Sequence, residues 1–175
     1  MKIFDCTTFF DEKMMMEIRF NVLNEYVHKF IVVESTFSHS GEKKKLNFNK
    51  NDFPKFKDKI NYIVIDQEPK GLIKKSQNDR EDFSKRMNSI KRIEQSYDFM
   101  IKGLDDALDD DLVMISDNDE IPNLNDIDFS QNKNDFFIFQ QFFYYYKFNL
   151  IYDKIKWFGT KACKKKKLSS FSNLR

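Results

Sequence analysis

Three short runs set the pattern of this chain: Lys29–Ser35 (KFIVVES), Ile60–Asp66 (INYIVID) and Leu112–Ser116 (LVMIS). Each is nearly continuous in apolar side chains, rich in β-branched residues and short. Each therefore reads as a strand covered on both faces. The segments between them carry helical spacing. Residues 11–27 set Met15, Ile18, Val22 and Tyr26 on a stripe that Met14, Leu23 and Val27 widen. Residues 81–108 align Phe83, Met87, Ile90, Ile93 and Tyr97, with Gly103 as a point of interruption. Strands alternating with helices predict an α/β sandwich with a mostly parallel central sheet.

The flanking segments complete this outline. Residues 2–10 (KIFDCTTFF) read as a short strand running into a polar turn, and 67–79 as a loop marked by Pro69 and Gly71. The acidic run Asp105–Asp111 reads as a solvated turn. Residues 135–149 (DFFIFQQFFYYYKFN) suit one or two strands, and 155–163 (IKWFGTKAC) another. The end, KKKKLSSFSNLR, reads as an edge or a frayed tail. Neither a repeat nor a linker divides the 175 residues, so residues 1–175 are expected to form a single domain.

A net charge of +2 argues against a dedicated nucleic-acid binder. Two cysteines cannot build a disulfide framework or a zinc site alone. The N-terminal residues lack a signal-peptide pattern, and no run approaches the roughly 20 apolar residues of a membrane span. The expectation is a soluble cytoplasmic protein with no membrane anchor in this chain.

All three strands close on an acid: Glu34, Asp66 and Asp117. Ligands of open α/β sheets sit at the carboxyl ends of the strands, so these acids fall where a ligand is expected. The third strand runs straight into Asp117-Asn118-Asp119-Glu120. In an extended segment Asp117 and Asp119 share a side, and two converging carboxylates call for a cation. Hard oxygens suit Mg²⁺ or Mn²⁺, which keep waters and take further ligands from phosphates. A calcium EF-hand loop fits poorly, because Pro122 stands where that loop needs glycine. A solvated acidic loop is the alternative.

The sequence also resembles a known family. Ile3-Phe4-Asp5-Cys6, Phe10, Glu17-Ile18-Arg19, Val33-Glu34-Ser35 and Ser116-Asp117-x-Asp119-Glu120-Ile121-Pro122 match the pattern of glycosyltransferase family 17. That family contains the β-1,4-mannosyl-glycoprotein β-1,4-N-acetylglucosaminyltransferases. Glu81 and Arg86 look like part of the family's Glu…Gln-Arg…Ile helix, with Lys85 in place of Gln, and WFGTK and SNLR look like its later strand and turn. The resemblance implies a GT-A-like fold and inverting transfer of a sugar, N-acetylglucosamine by the family's habit, from a UDP-sugar to a glycan acceptor. It implies Mn²⁺ or Mg²⁺ on Asp119, with Asp117 on the metal or the ribose.

By the same resemblance, Glu34 and Ser35 lie where the base or ribose of the nucleotide is held, with Glu34 bonding loop amides as the alternative; Arg86 could meet a phosphate or a motif carboxylate, or form an ion pair across helix and loop. Asp5 could line the pocket or cap the next turn, and Arg19 reads as structural. The catalytic base is open; Glu120 adjoins the motif, but its side chain should face away from Asp119. The rings of QQFFYYYKF could stack on sugars or pack in the core. Family members usually continue beyond the Leu-Arg to a Gly-Trp-His-Phe-Ser-like segment, so this chain reads as C-terminally shortened. The rivals are therefore a non-catalytic nucleotide-sugar or glycan-binding domain and a metal-dependent nucleotidyltransferase.

Overall fold

The computed structural model describes residues 1–74, 81–125, 127–129, 131–147 and 149–175, apart from the side chains of residues 81 and 82. The last residues of the predicted 67–79 loop, from 75 on, lie outside the described residues. The fold is mixed α/β around a six-stranded sheet. β1 (Ile3–Thr8), β2 (Lys29–Ser35), β3 (Ile60–Ile65) and β4 (Leu112–Ile115) run parallel. β5 (Phe136–Gln141) and β6 (Trp157–Lys164) extend the sheet, β6 lying antiparallel to both β4 and β5. The order across the sheet is β3-β2-β1-β4-β6-β5.

β2 and β4 carry unbroken apolar runs, Phe30–Val33 and Leu112–Ile115, because both faces are covered. Phe30 and Val32 of β2, with Leu112 and Met114 of β4, pack with Met16, Phe20 and Leu23 of α1 (Lys13–Leu23). Ile31, Val33, Val113 and Ile115 face the other way. They meet Met100 and Leu104, which follow α2 (Glu81–Asp98), and Phe171 of α3 (Phe171–Leu174). The chain builds outward from β1 to β2 and β3, then crosses back to place β4 on β1's other side. That reversal opens a crevice at the carboxyl ends of β1 and β4, the usual ligand position in such sheets.

Three expectations need correction. First, the inward stripe of α1 is Met16, Arg19, Phe20 and Leu23, while Met14, Ile18, Val22 and Tyr26 are exposed. The spacing is helical, but the buried stripe contains an arginine, so a search for apolar residues alone selects the wrong face. Second, α2 stops at Asp98, and a 3₁₀ segment, Phe99–Gly103, continues the chain. Gly103 lies against Ile31, whose side-chain carbons would be 2.8 Å from an added Cβ. Phe83 and Ile90 of the predicted α2 face are exposed, while the small residues Ser84 and Ser96 are buried.

Third, the C-terminal residues are neither an edge nor a frayed tail. Lys165–Lys167 form a 3₁₀ turn, and Ser170 caps α3 by accepting a hydrogen bond from the Asn173 amide at 3.1 Å. Phe171 is fully buried, and the Ser172 amide donates to Asp98 at 3.0 Å. The acidic run is also only partly solvated. Asp111 is buried and accepts from the Lys2 amide at 2.6 Å, and Asp106 pairs with His28 and Lys29. Among the described residues no helix is long and apolar enough to cross a membrane.

Phe171 carries the docking of α3. Phe171→Ala should lower unfolding free energy by about 3–5 kcal/mol, the usual cost of removing a buried phenylalanine ring. Urea denaturation followed by far-UV circular dichroism measures this.

Candidate active site

The turn after β4 is built on one buried arginine. Arg19 of α1 is 0% exposed, and it meets Asp5 of β1, which is 1% exposed. Its Nε donates to Asp5 Oδ2 at 2.8 Å, and one terminal nitrogen donates to Oδ1 at 2.5 Å. That nitrogen also reaches the Ser116 hydroxyl at 2.6 Å. The other donates to the carbonyls of Asp117 (3.2 Å), Asn118 (3.4 Å) and Glu120 (3.1 Å). The guanidinium thus binds a carboxylate on one side and the backbone of the Asp117–Glu120 turn on the other.

The turn closes on itself from the other direction. The Glu120 amide donates to the Asp117 carbonyl at 3.1 Å, and the Asp117 amide donates back to Glu120 Oε2 at 3.0 Å. Glu120 Oε1 accepts from the Trp157 indole at 2.9 Å and from Arg175 at 2.9 Å. Arg175 also donates to Asp117 Oδ2 at 2.9 Å and to the Gly159 carbonyl at 2.9 Å. Tyr97 donates to Asp117 Oδ1 at 3.3 Å. Burial and the neighbouring Asp117 raise the Tyr97 pKa above its ordinary value.

Above this turn lies a cleft of about 790 Å³ at the carboxyl ends of the sheet. Thr8–Phe10 line one wall, Ser35 and Phe37–Ser40 a second, and Arg92, Ser96 and Tyr97 of α2 a third. Asp117, Asn118 and Asp119 form its floor beside them. The size suits a small organic ligand, for which roughly 300–1,000 Å³ is typical. Asp119 is exposed to this space. Among the described residues no three His, Cys, Asp or Glu side chains group into a metal cage. Asp117 and Asp119 both line the cleft, and carboxylates are donors that Mg²⁺ or Mn²⁺ accepts when phosphates and water complete the shell.

The sequence model of glycosyltransferase family 17 matches residues 1–173. The chain belongs to glycosyltransferase family 17. No curated protein and no solved structure gave a match. Family membership makes it a glycosyltransferase, acting on a sugar donor and an acceptor.

In this glycosyltransferase the cleft brings together Asp117, Asp119 and Ser35 of the residues singled out from the sequence. Glu34 is elsewhere: it is buried and takes bonds from Lys44 (2.5 Å), the Asn47 and Phe48 amides (2.8 and 3.0 Å) and Tyr62 (2.7 Å). It anchors the loop after β2. Asp5 is committed to Arg19, and Glu120 is buried against Trp157 and Arg175. Asp66, the third strand-end acid, is exposed and outside the cleft lining. Arg86 is exposed on α2 and also outside the lining. The side chain of Glu81 is outside the described residues.

The arginine on the cleft wall is instead Arg92, about 1.7 turns further along α2. It pairs with Glu68 through two bonds of 2.7 and 2.9 Å and donates to the His39 carbonyl at 3.2 Å. No local pattern marks it, since it stands five residues before Tyr97 and so off that residue's helical face. Arg175 is equally unmarked, its carboxylate partners lying 55 and 58 residues away in sequence.

Two predictions test this site. Arg19→Met and Asp5→Leu should each lose about 3–5 kcal/mol, because each leaves a buried charge unpaired. The double variant should lose clearly less than the sum, which a denaturation double-mutant cycle reads directly. The second concerns pH. The folded pKa of Tyr97 lies above the ordinary 10.0, so its stabilising effect is complete below pH 10 and is lost as pH rises above that value. Tyr97→Phe should therefore show a shallower loss of stability between pH 9 and 11 than the parent protein, measured by thermal unfolding.

Proposed function

We propose that this chain transfers N-acetylglucosamine from UDP-N-acetylglucosamine to a hydroxyl of a glycan acceptor, with inversion at the anomeric carbon, on a GT-A-like fold. The observation that carries this reading is the Asp117/Asp119 pair. It lies at the floor of a nucleotide-sized cleft, in the switch-point crevice, on a turn fixed by Arg19. Asp119 and Asp117 would hold Mn²⁺ or Mg²⁺, which when bound neutralises charge building on the departing diphosphate.

The remaining work falls to the protein's own groups. Arg19 keeps the Asp117–Glu120 backbone from rearranging as the donor enters. Tyr97 and Arg175 orient the Asp117 carboxylate, one on each oxygen. Ser35, Phe10 and Phe37 flank the nucleoside end of the cleft. Glu12 is the cleft-lining acid outside the Asp pair, and its Oε2 is already taken by the Phe10 and Asp11 amides at 3.0 and 3.1 Å. Its other oxygen is the candidate for taking the acceptor's proton. Glu120 supports the turn and is not part of the cleft lining.

The test is UDP release from UDP-N-acetylglucosamine with and without Mn²⁺, together with UDP binding by calorimetry. The parent protein should turn over only with metal. Asp119→Ala should lose roughly 100-fold or more, in line with removal of a principal electrostatic group. Undiminished transfer by Asp119→Ala would remove the metal assignment, and failure of the parent protein to bind UDP with or without Mn²⁺ would remove the donor reading.

A further inference from the structure

β5 and β6 do not end where the rest of the sheet ends. Lys161 of β6 pairs with Ile115, the last residue of β4, and Trp157 lies four residues earlier, at the start of β6. At about 3.3 Å per residue, Trp157 stands roughly 13 Å beyond the end of β4. Because β6 is antiparallel to β4, this overshoot is on the carboxyl edge, where the cleft opens. The hairpin then continues, with Tyr144 bridged to Ile151, the Tyr152 amide donating to the Phe143 carbonyl at 2.8 Å, and the Tyr145 amide donating to Leu150 at 2.9 Å. It is a wall beside the Asp117–Glu120 turn.

The wall is faced with rings. Phe143 packs on Trp157 at 5.3 Å between centroids and on Tyr152 at 6.4 Å, and Tyr145 meets Tyr152 at 6.4 Å. These rings make a ladder, yet Tyr145 is 62% and Trp157 38% exposed. Tyr146 at the tip holds φ 70°, a backbone region unfavourable for a bulky side chain, and is almost fully exposed. The root of the ladder is fixed to the site. Trp157 donates to Glu120, whose carboxylate carbon would be 2.8 Å from a Cβ added at Gly159.

We propose that this ladder is the acceptor subsite and binds an uncharged oligosaccharide by stacking sugar rings on Tyr145, Tyr152 and Trp157. The proposal rests on the glycosyl-transfer reading above. A pyranose offers a patch of C–H groups of about ring size, edged with hydroxyls. The negative face of an aromatic ring attracts those C–H groups, and the tyrosine hydroxyls answer the sugar's own hydroxyls. An exposed apolar patch of this extent marks an interaction site. The tyrosine hydroxyls set beside the exposed rings favour a sugar, whose hydroxyls they can meet, over a hydrocarbon tail. The hairpin's position on the carboxyl edge places such a ligand beside the cleft floor.

Trp157 is the only tryptophan in the chain, so its fluorescence reports on this ladder alone. Chitotriose and mannotriose should be titrated into the parent protein, Tyr145→Ala and Tyr152→Ala, with UDP binding measured on the same samples. The expected result is a saturable emission change that is insensitive to salt and weakened about tenfold or more in both variants. UDP binding checks that the cleft is intact, and its absence would sink the transfer reading while leaving the oligosaccharide titration to decide the hairpin. Equal binding by parent and variants, or no response to either sugar, overturns the proposal. So does an emission change caused instead by lipid vesicles, or by a dimer that Tyr145→Ala disperses.

Discussion

The Arg19–Asp5 pair is the interaction on which the site depends. Taking two charges out of water is costly, and such a pair is tolerable only when every remaining donor and lone pair finds a partner. Arg19 meets that condition with all five N–H groups: two bonds to Asp5, one to Ser116, and the remainder shared among the carbonyls of Asp117, Asn118 and Glu120. A leucine in the same stripe of α1 would fill similar space and leave those carbonyls without a donor. The gain from arginine is therefore geometric. It makes the conformation of a polar turn a consequence of how α1 packs on β1, which turns rigid core packing into a rigid site.

The same logic divides the acids of this chain into two kinds. Asp5 and Glu34 are buried, and each spends its oxygens on holding a segment at the cleft's rim. Asp5 acts through Arg19, and Glu34 acts directly on Lys44, Asn47, Phe48 and Tyr62. The Tyr62 pKa is raised by burial and by that carboxylate, which keeps the hydroxyl a donor. Asp117 and Asp119 remain open to the cleft. Sequence alone presents all four as acids at the ends or middles of strands, and only burial separates those that build the site from those available to a ligand.

That distinction marks where the sequence was readable. β2 and β4 were legible because burial on both faces demands an unbroken apolar run, whereas β3, expected to be covered on both faces, is an edge strand with Val64 exposed. Although the Asp117–Asp119 segment is a turn and not extended as expected, its position at a strand's carboxyl end was legible. The face of α1 was not, because the residue that matters most on it is charged and periodicity counts only apolar groups. The end of the chain was misjudged for a related reason. Four lysines suggest solvent, yet Phe171 shortly after them is fully buried against the sheet. Arg92 and Arg175 owe their places to contacts between distant segments, which no local pattern encodes.

Asp117 and Asp119 are themselves unequal, and the inequality orders events at the cleft on the proposed reading. Asp117 already has one oxygen on Arg175 and the other on Tyr97. Its charge is partly compensated and its orientation fixed. Asp119 is exposed, with its backbone neighbours pinned by Arg19. On that reading a cation would meet least competition at Asp119 and would share Asp117 with Arg175. Arg175 also holds Glu120 and the Gly159 carbonyl, so any shift of Asp117 toward a cation is resisted by β6 and α3 together. The turn is thus suited to accept a charge without moving, which is the condition under which fixed dipoles and carboxylates act most strongly on a developing charge.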